Sequence, residues 1–153
     1  MPHADWVGVR RYLTSAIEGL AESEFLVLGE SCPAPGPRRG LFGRQPRPVS
    51  SRYVQALRID DVLSAECVGA TSLGGTWHMD DATIAQLCGM GWLTPAACEA
   101  AYGYLTPNFE LYVELADFAG LSSLMVSSLA VLGTHPGSLV LECSSGGLSA
   151  VGG

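Results

Sequence analysis

The residues with most chemical potential in this 153-residue sequence are few and scattered. His78, Met79, Asp80 and Asp81 put three potential metal ligands into four positions. A metal centre draws further ligands from a second segment, and no other His or Cys cluster here has metal spacing. The Asp pair also suits a helix start, where a carboxylate accepts free N–H groups, and that is its expected role. His135, in Gly133-Thr134-His135-Pro136, follows a helical stretch and is expected to satisfy that helix's last carbonyls. Glu66 lies in an alternating segment and lacks an evident acid/base partner, so it reads as a strand residue that faces solvent or pairs with an Arg. The five Cys are odd in number and form no C-x-x-C, which reads as free thiols in a reducing compartment. Cys67, Cys88 and Cys98 fall in apolar stretches and are expected as small core residues. There is no G-x-S-x-G, H-E-x-x-H or G-x-G-x-x-G. The expectation is a protein without catalytic residues, metal or cofactor.

Composition narrows the classes further. All eight basic residues are Arg, which removes a P-loop lysine, a Schiff-base lysine and a Ser-x-x-Lys pair. Arg in place of Lys, with much Ala and Gly, suggests a high-G+C bacterial genome. Every Arg lies between Arg10 and Arg58, whereas the chain from Ile59 onward carries ten acids and no Arg. Net charge is −7, which argues against nucleic acid as main partner. The asymmetry favours self-association or a charged partner, and a homodimer is expected. A hydrophobic share of 48% excludes a wholly disordered chain. No apolar run reaches the roughly 18 residues of a membrane span. The start, MPHADWVG, shows no basic region leading into an apolar one, so a cytoplasmic protein is expected.

The elements that must position these residues are legible as patterns. Residues 5–21 carry Trp6, Val9, Leu13, Ile17 and Leu20 at helical spacing behind an Asp5 cap. Phe25 to Gly29 reads as a buried strand. Residues 31–51 hold five Pro and four Arg and are expected to form a disordered insertion. Arg52–Ile59 and Leu63–Val68 alternate around Asp60-Asp61, which predicts a hairpin and, with the preceding strand, a meander. A helix capped by Asp80 or Asp81 ends at Gly89 and Gly91, and Thr94-Pro95 opens another. Phe109–Leu115 is a candidate strand, 117–132 a long helix, and Leu139–Cys143 a last strand. The fold class is α+β, an antiparallel sheet with helices packed on it, in the order α-β-β-β-α-α-(β)-α-β. One domain covers 1–143, and 144–153 is expected to be a mobile tail.

Arg52-Tyr53-Val54-Gln55, Ala65-Glu66-Cys67-Val68-Gly69, Gly91-Trp92, Pro107-Asn108-Phe109 and the His135-Pro136 turn recur here in an order and spacing that resemble the TY-Chap superfamily. These are the YbjN-like and type III secretion chaperone-like domains common in actinobacteria. The resemblance covers about residues 6–143. It implies an α+β fold with a helix on a curved antiparallel sheet, and a non-enzymatic role in binding peptides or partner proteins, often as a dimer. Two segments depart from the pattern: the long 31–51 insertion and the run PAACEAAYGY after Trp92.

The first functional expectation is therefore a chaperone-like domain that binds an extended peptide or partner protein through an open sheet edge or face. Its candidate contact residues are Phe25, Val27, Tyr53, Gln55, Leu57 and Trp92; all but Gln55 equally suit the core, and Trp92 is expected to pack under the helix it follows, against the sheet or helix 117–132. The alternatives are a small-molecule binder or enzyme with a pocket near Glu66, His78 and His135, and a structural oligomerisation module.

Overall fold

The computed structural model describes residues 5–30 and 51–144, and the backbone of 148–150. The Arg/Pro-rich stretch expected to be disordered lies, but for Ser51, outside the described residues.

Local signals start each helix where expected. Asp5 accepts from the Gly8 N–H at 2.7 Å and opens α1 (Trp6–Glu18). Asp80, not Asp81, accepts from Thr83 at 2.8 Å and opens α2 (Asp81–Gly89). Thr94 caps α3 (Pro95–Tyr102), with Pro95 in its first turn, and Asp117 caps α4 (Phe118–Val131). Each cap supplies an acceptor to an N–H group that has no partner within its helix.

The strands are β1 (Phe25–Glu30), β2 (Tyr53–Ile59), β3 (Val62–Cys67), β4 (Phe109–Glu114), β5 (Leu139–Cys143) and β6 (Leu148–Ala150). They form one antiparallel sheet in the order β4-β3-β2-β1-β5-β6. The chain is thus α+β with the element order read from the sequence. β1 to β4 are a meander, and β5 returns to the far side of β1. Asp60 takes a positive φ of 50° in the two-residue turn between Ile59 and Val62, a conformation that Asp tolerates better than most residues. Leu148–Ala150, within the stretch expected as a tail, pairs with β5.

Strand alternation divides the sheet into two faces. Leu26, Leu28, Val54, Ala56, Leu63, Ala65, Cys67, Leu139 and Leu141 are buried on one of them. Val9, Leu13 and Ile17 of α1 and Leu121, Met125 and Leu129 of α4 close that face into a single core. Full burial of each such side chain contributes about 1.5–3 kcal/mol, so the helix layer is the main source of stability.

Three sequence expectations are corrected here. Cys88 is exposed, because α2 buries only Leu87 and the next residue points about 100° away. His135 does not close α4. Gly133, at φ 83°, and Thr134 do so, Thr134 bonding back to the Leu129 carbonyl through both its N–H and its hydroxyl. His135 instead accepts from the Gly137 N–H at the start of the short 3-10 turn Pro136–Ser138. Trp92, both a candidate contact residue and expected to pack against helix 117–132, takes the packed position and not the contact one: it is only 2% exposed and belongs to the core on the helix side. Its indole N–H donates to the Ser128 hydroxyl at 2.7 Å, and that hydroxyl donates to the Leu124 carbonyl at 2.7 Å.

Trp92→Ala removes the largest buried side chain and strands the Ser128 acceptor. It should destabilise the fold by about 3–5 kcal/mol, read as a lowered midpoint in a denaturant titration against wild type. An unshifted midpoint would overturn the core assignment.

Candidate functional site

The second face of the sheet is built by the residues that alternate with the core. On β1 and β2 these are Phe25, Val27, Tyr53, Gln55, Leu57 and Ile59. The register sets them side by side: Phe25 opposite Leu57, Val27 opposite Gln55, Gly29 opposite Tyr53. Five of the six contact residues expected from the sequence therefore share one surface, and Trp92 alone lies on the other side. Phe25 is 38% exposed, and Val27, Tyr53, Gln55 and Leu57 are half-buried. A side chain on Gly29 would collide with the Tyr53 Cβ and the Arg52 carbonyl, so glycine lets β1 and β2 keep this register.

Across β3 and β4 the same face turns polar. Gln55 stands opposite Glu66, and Glu66 opposite Glu110. Two carboxylates directly opposite on neighbouring strands are about 5 Å apart at Cβ and repel when both are charged. Glu66 is half-buried and Glu110 only 5% exposed. Burial raises the Glu66 carboxyl above the usual glutamate range, a hydrogen bond from Asn108 opposes that rise, and the neighbouring Glu110 adds to it. Among the described residues the single ion pair is Arg52–Glu30, at 3.2 Å, so neither acid has a cation beside it. The two sheet arginines are engaged elsewhere. Arg52 also reaches the Gly133 carbonyl and lies over the Trp77 ring, and Arg58 donates to the Leu20 carbonyl.

Asn108 fixes this region. Its side-chain oxygen accepts from the Gly69 N–H at 3.0 Å, which aims its amide at Tyr53 Oη (3.0 Å) and Glu66 Oε2 (3.3 Å). Gly69 has no room for a Cβ, because the Pro107 carbonyl occupies that space. The PAACEAAYGY segment forms α3 and roofs Glu110. Tyr104 Oη donates to Glu110 Oε2 at 2.7 Å and touches the Tyr112 hydroxyl, Cys98 Sγ lies 3.5 Å from the same oxygen, and the Tyr102 ring stacks on Tyr104 and meets Tyr112 edge-on. Leu93 pairs with the Glu110 backbone in both directions and closes the outer edge of β4 at that point. Sequence reading missed Glu110, Asn108 and the tyrosines as a group. The available signal was a Glu on the non-core face of each of two alternating segments.

This arrangement holds no activated nucleophile among the buried thiols. Burial pushes the Cys67 thiol up to about 12, and burial with Glu110 pushes Cys98 up to about 11. Both are thiols at neutral pH. Nor does it assemble the alternative pocket. Glu66 is on β3, whereas His135 leads into β5, with β2 and β1 between them, and His78 lies in the loop before α2. Three surface concavities lie along α1, and none of the three is lined by Glu66, His78 or His135. No three His, Cys, Asp or Glu side chains gather as metal ligands among the described residues.

A comparison with protein families matches residues 2–145 to TY-Chap3, described as "T3SS (YopN, CesT) and YbjN peptide-binding chaperone 3". The chain belongs to the TY-Chap family. That membership brings a chaperone-like, peptide-binding role and a protein or peptide as partner. A search of curated proteins and a search of solved structures each found no match. Among the described residues, no helix of this TY-Chap domain is long and apolar enough to cross a membrane.

The raised Glu66 pKa has a consequence for stability. The folded state holds a proton there that the unfolded chain has lost, so stability falls as pH rises from the ordinary glutamate value through the raised one. Glu66→Gln abolishes that loss. The variant should melt higher than wild type at pH 7.5, and the gain should vanish at pH 3.5, where both forms are neutral. Thermal melts at the two pH values test this, and a variant that gains nothing at pH 7.5 contradicts it.

Proposed function

We propose that this domain is a non-enzymatic chaperone that holds an extended segment of a client protein against the non-core face of its sheet. The observation that carries the reading is the row Phe25, Val27, Gln55 and Leu57, set in register on the face opposite the core that α1 and α4 close, with Phe25 exposed and the others half-buried. An extended segment presents every second side chain to such a surface, so the Phe25, Val27 and Leu57 side chains offer it apolar contact at strand spacing. Family membership supports the same reading. Tyr53 belongs to this surface with its hydroxyl held by Asn108. A homodimer in the cytoplasm completes the proposal. The dimer rests on the separation of Arg and acid along the chain, and sedimentation at low and high salt tests it.

Selection from a random peptide display library tests the binding face. Selected peptides should bind wild type, and Leu57→Asp should weaken them roughly tenfold or more while leaving the melting temperature within a few degrees. Selected peptides that bind the Leu57→Asp protein equally well would overturn this assignment.

A further inference from the structure

The charge on the proposed face is of one sign, and this points to the chemistry of the segment it takes. The charged side chains it presents among the described residues are the half-buried Glu66 and the exposed Glu114 and Glu142, Glu142 standing opposite Val27, while Glu110 lies buried beside Glu66 under Tyr104. The register therefore lays out a line Glu142–Val27–Gln55–Glu66–Glu110 across five strands. Beside it runs a second line, Phe25–Leu57–Ser64–Tyr112, whose ends are aromatic. Arg52 and Arg58, which alternation places on the helix side, are already bonded to Glu30, Gly133 and Leu20. The opposed Glu66 and Glu110 thus combine low exposure, like charge and no counter-ion within the described residues, and a cation from outside would relieve the repulsion between them.

We infer that the client segment is basic and alternating: an Arg or Lys side chain over Glu66, and an apolar side chain two residues away over Ser64, against its cross-strand neighbour Leu57. The spacing fits. Neighbouring positions on one face of an extended chain are about 6.8 Å apart, the same interval that separates Glu66 from Ser64, whose cross-strand partner is Leu57. This rests on the proposed peptide-binding function and adds the partner's charge and pattern to it.

The test uses three fluorescein-labelled octapeptides, with Leu alternating with Arg, with Gln or with Glu, titrated against the full chain by fluorescence anisotropy. The Arg peptide should bind roughly tenfold or more tightly than the Gln peptide, and the Glu peptide should be weakest. Glu66→Gln should reduce the Arg-over-Gln preference severalfold, whereas Leu57→Ser should weaken both peptides alike. Circular dichroism of each variant confirms that it is folded, and Glu142→Gln offers a second, surface-exposed variant with the same expected direction. Equal binding of all three peptides would overturn the charge inference and leave the peptide-binding function standing. An Arg preference that survives both Glu substitutions would overturn the assignment to this face. Failure of all three peptides, against a chain that still binds display-selected peptides, would also overturn the basic pattern; failure of the display-selected peptides as well would overturn the peptide-binding function itself.

Discussion

Val9, Leu13 and Ile17 of α1 meet Leu121, Met125 and Leu129 of α4 above Leu26, Leu28, Val54 and Ala56, and the side of the sheet they occupy determines what the other side is left to do. Because side chains alternate along a strand, burying one set commits the other to the opposite face. A slip of one residue in β1 or β2 would exchange Leu26 and Val54 for Val27 and Gln55. The helix layer therefore fixes the register, and the register fixes which residues the second face presents. In the proposed function, stability and recognition are built on opposite faces of the same strands.

The electrostatics of the second face follow from that arrangement. Glu66 and Glu110 come together only because β3 and β4 pair in a register that also places Cys67 against Phe109 in the core. Asn108 then holds one acid and Tyr104 the other, so both keep a fixed orientation without a cation from the described residues. Such a pair costs the isolated fold some stability, as like charges across a strand pair do. This local conflict beside Phe25, Leu57 and Tyr112 is what the proposed function uses as a contact surface.

Much of the fold was legible because its signals are local. The Asp5, Thr94 and Asp117 positions announce helix starts through residue type, and the 3.6-residue spacing of Val9, Leu13 and Ile17 marks the buried stripe of α1. The face shared by Phe25, Val27, Tyr53, Gln55 and Leu57 was legible through two-residue alternation. The acid pair was not, because its adjacency depends on the pairing of strands far apart in sequence; Asn108 and Glu66 are separated by 42 residues. Asn108 reads in sequence only as a break after Pro107, and its role appears once Gly69 is seen to anchor its oxygen. Trp92 and Cys88 show the complementary difficulty. An aromatic after a glycine and a cysteine in an apolar run each suit either the core or the surface, and only packing decides between them.

In the proposed function the peptide rests on the face of β1 and β2 opposite α1 and α4. Intermolecular nuclear Overhauser effects between a display-selected peptide and methyl-labelled protein test it most directly. Contacts from the peptide to the Val27 and Leu57 methyl groups, with none to Val7 or Ala119 on the helix layer, are the predicted result. Contacts to Val7 and Ala119 without any to Val27 or Leu57 would place the partner against the helices and contradict the account.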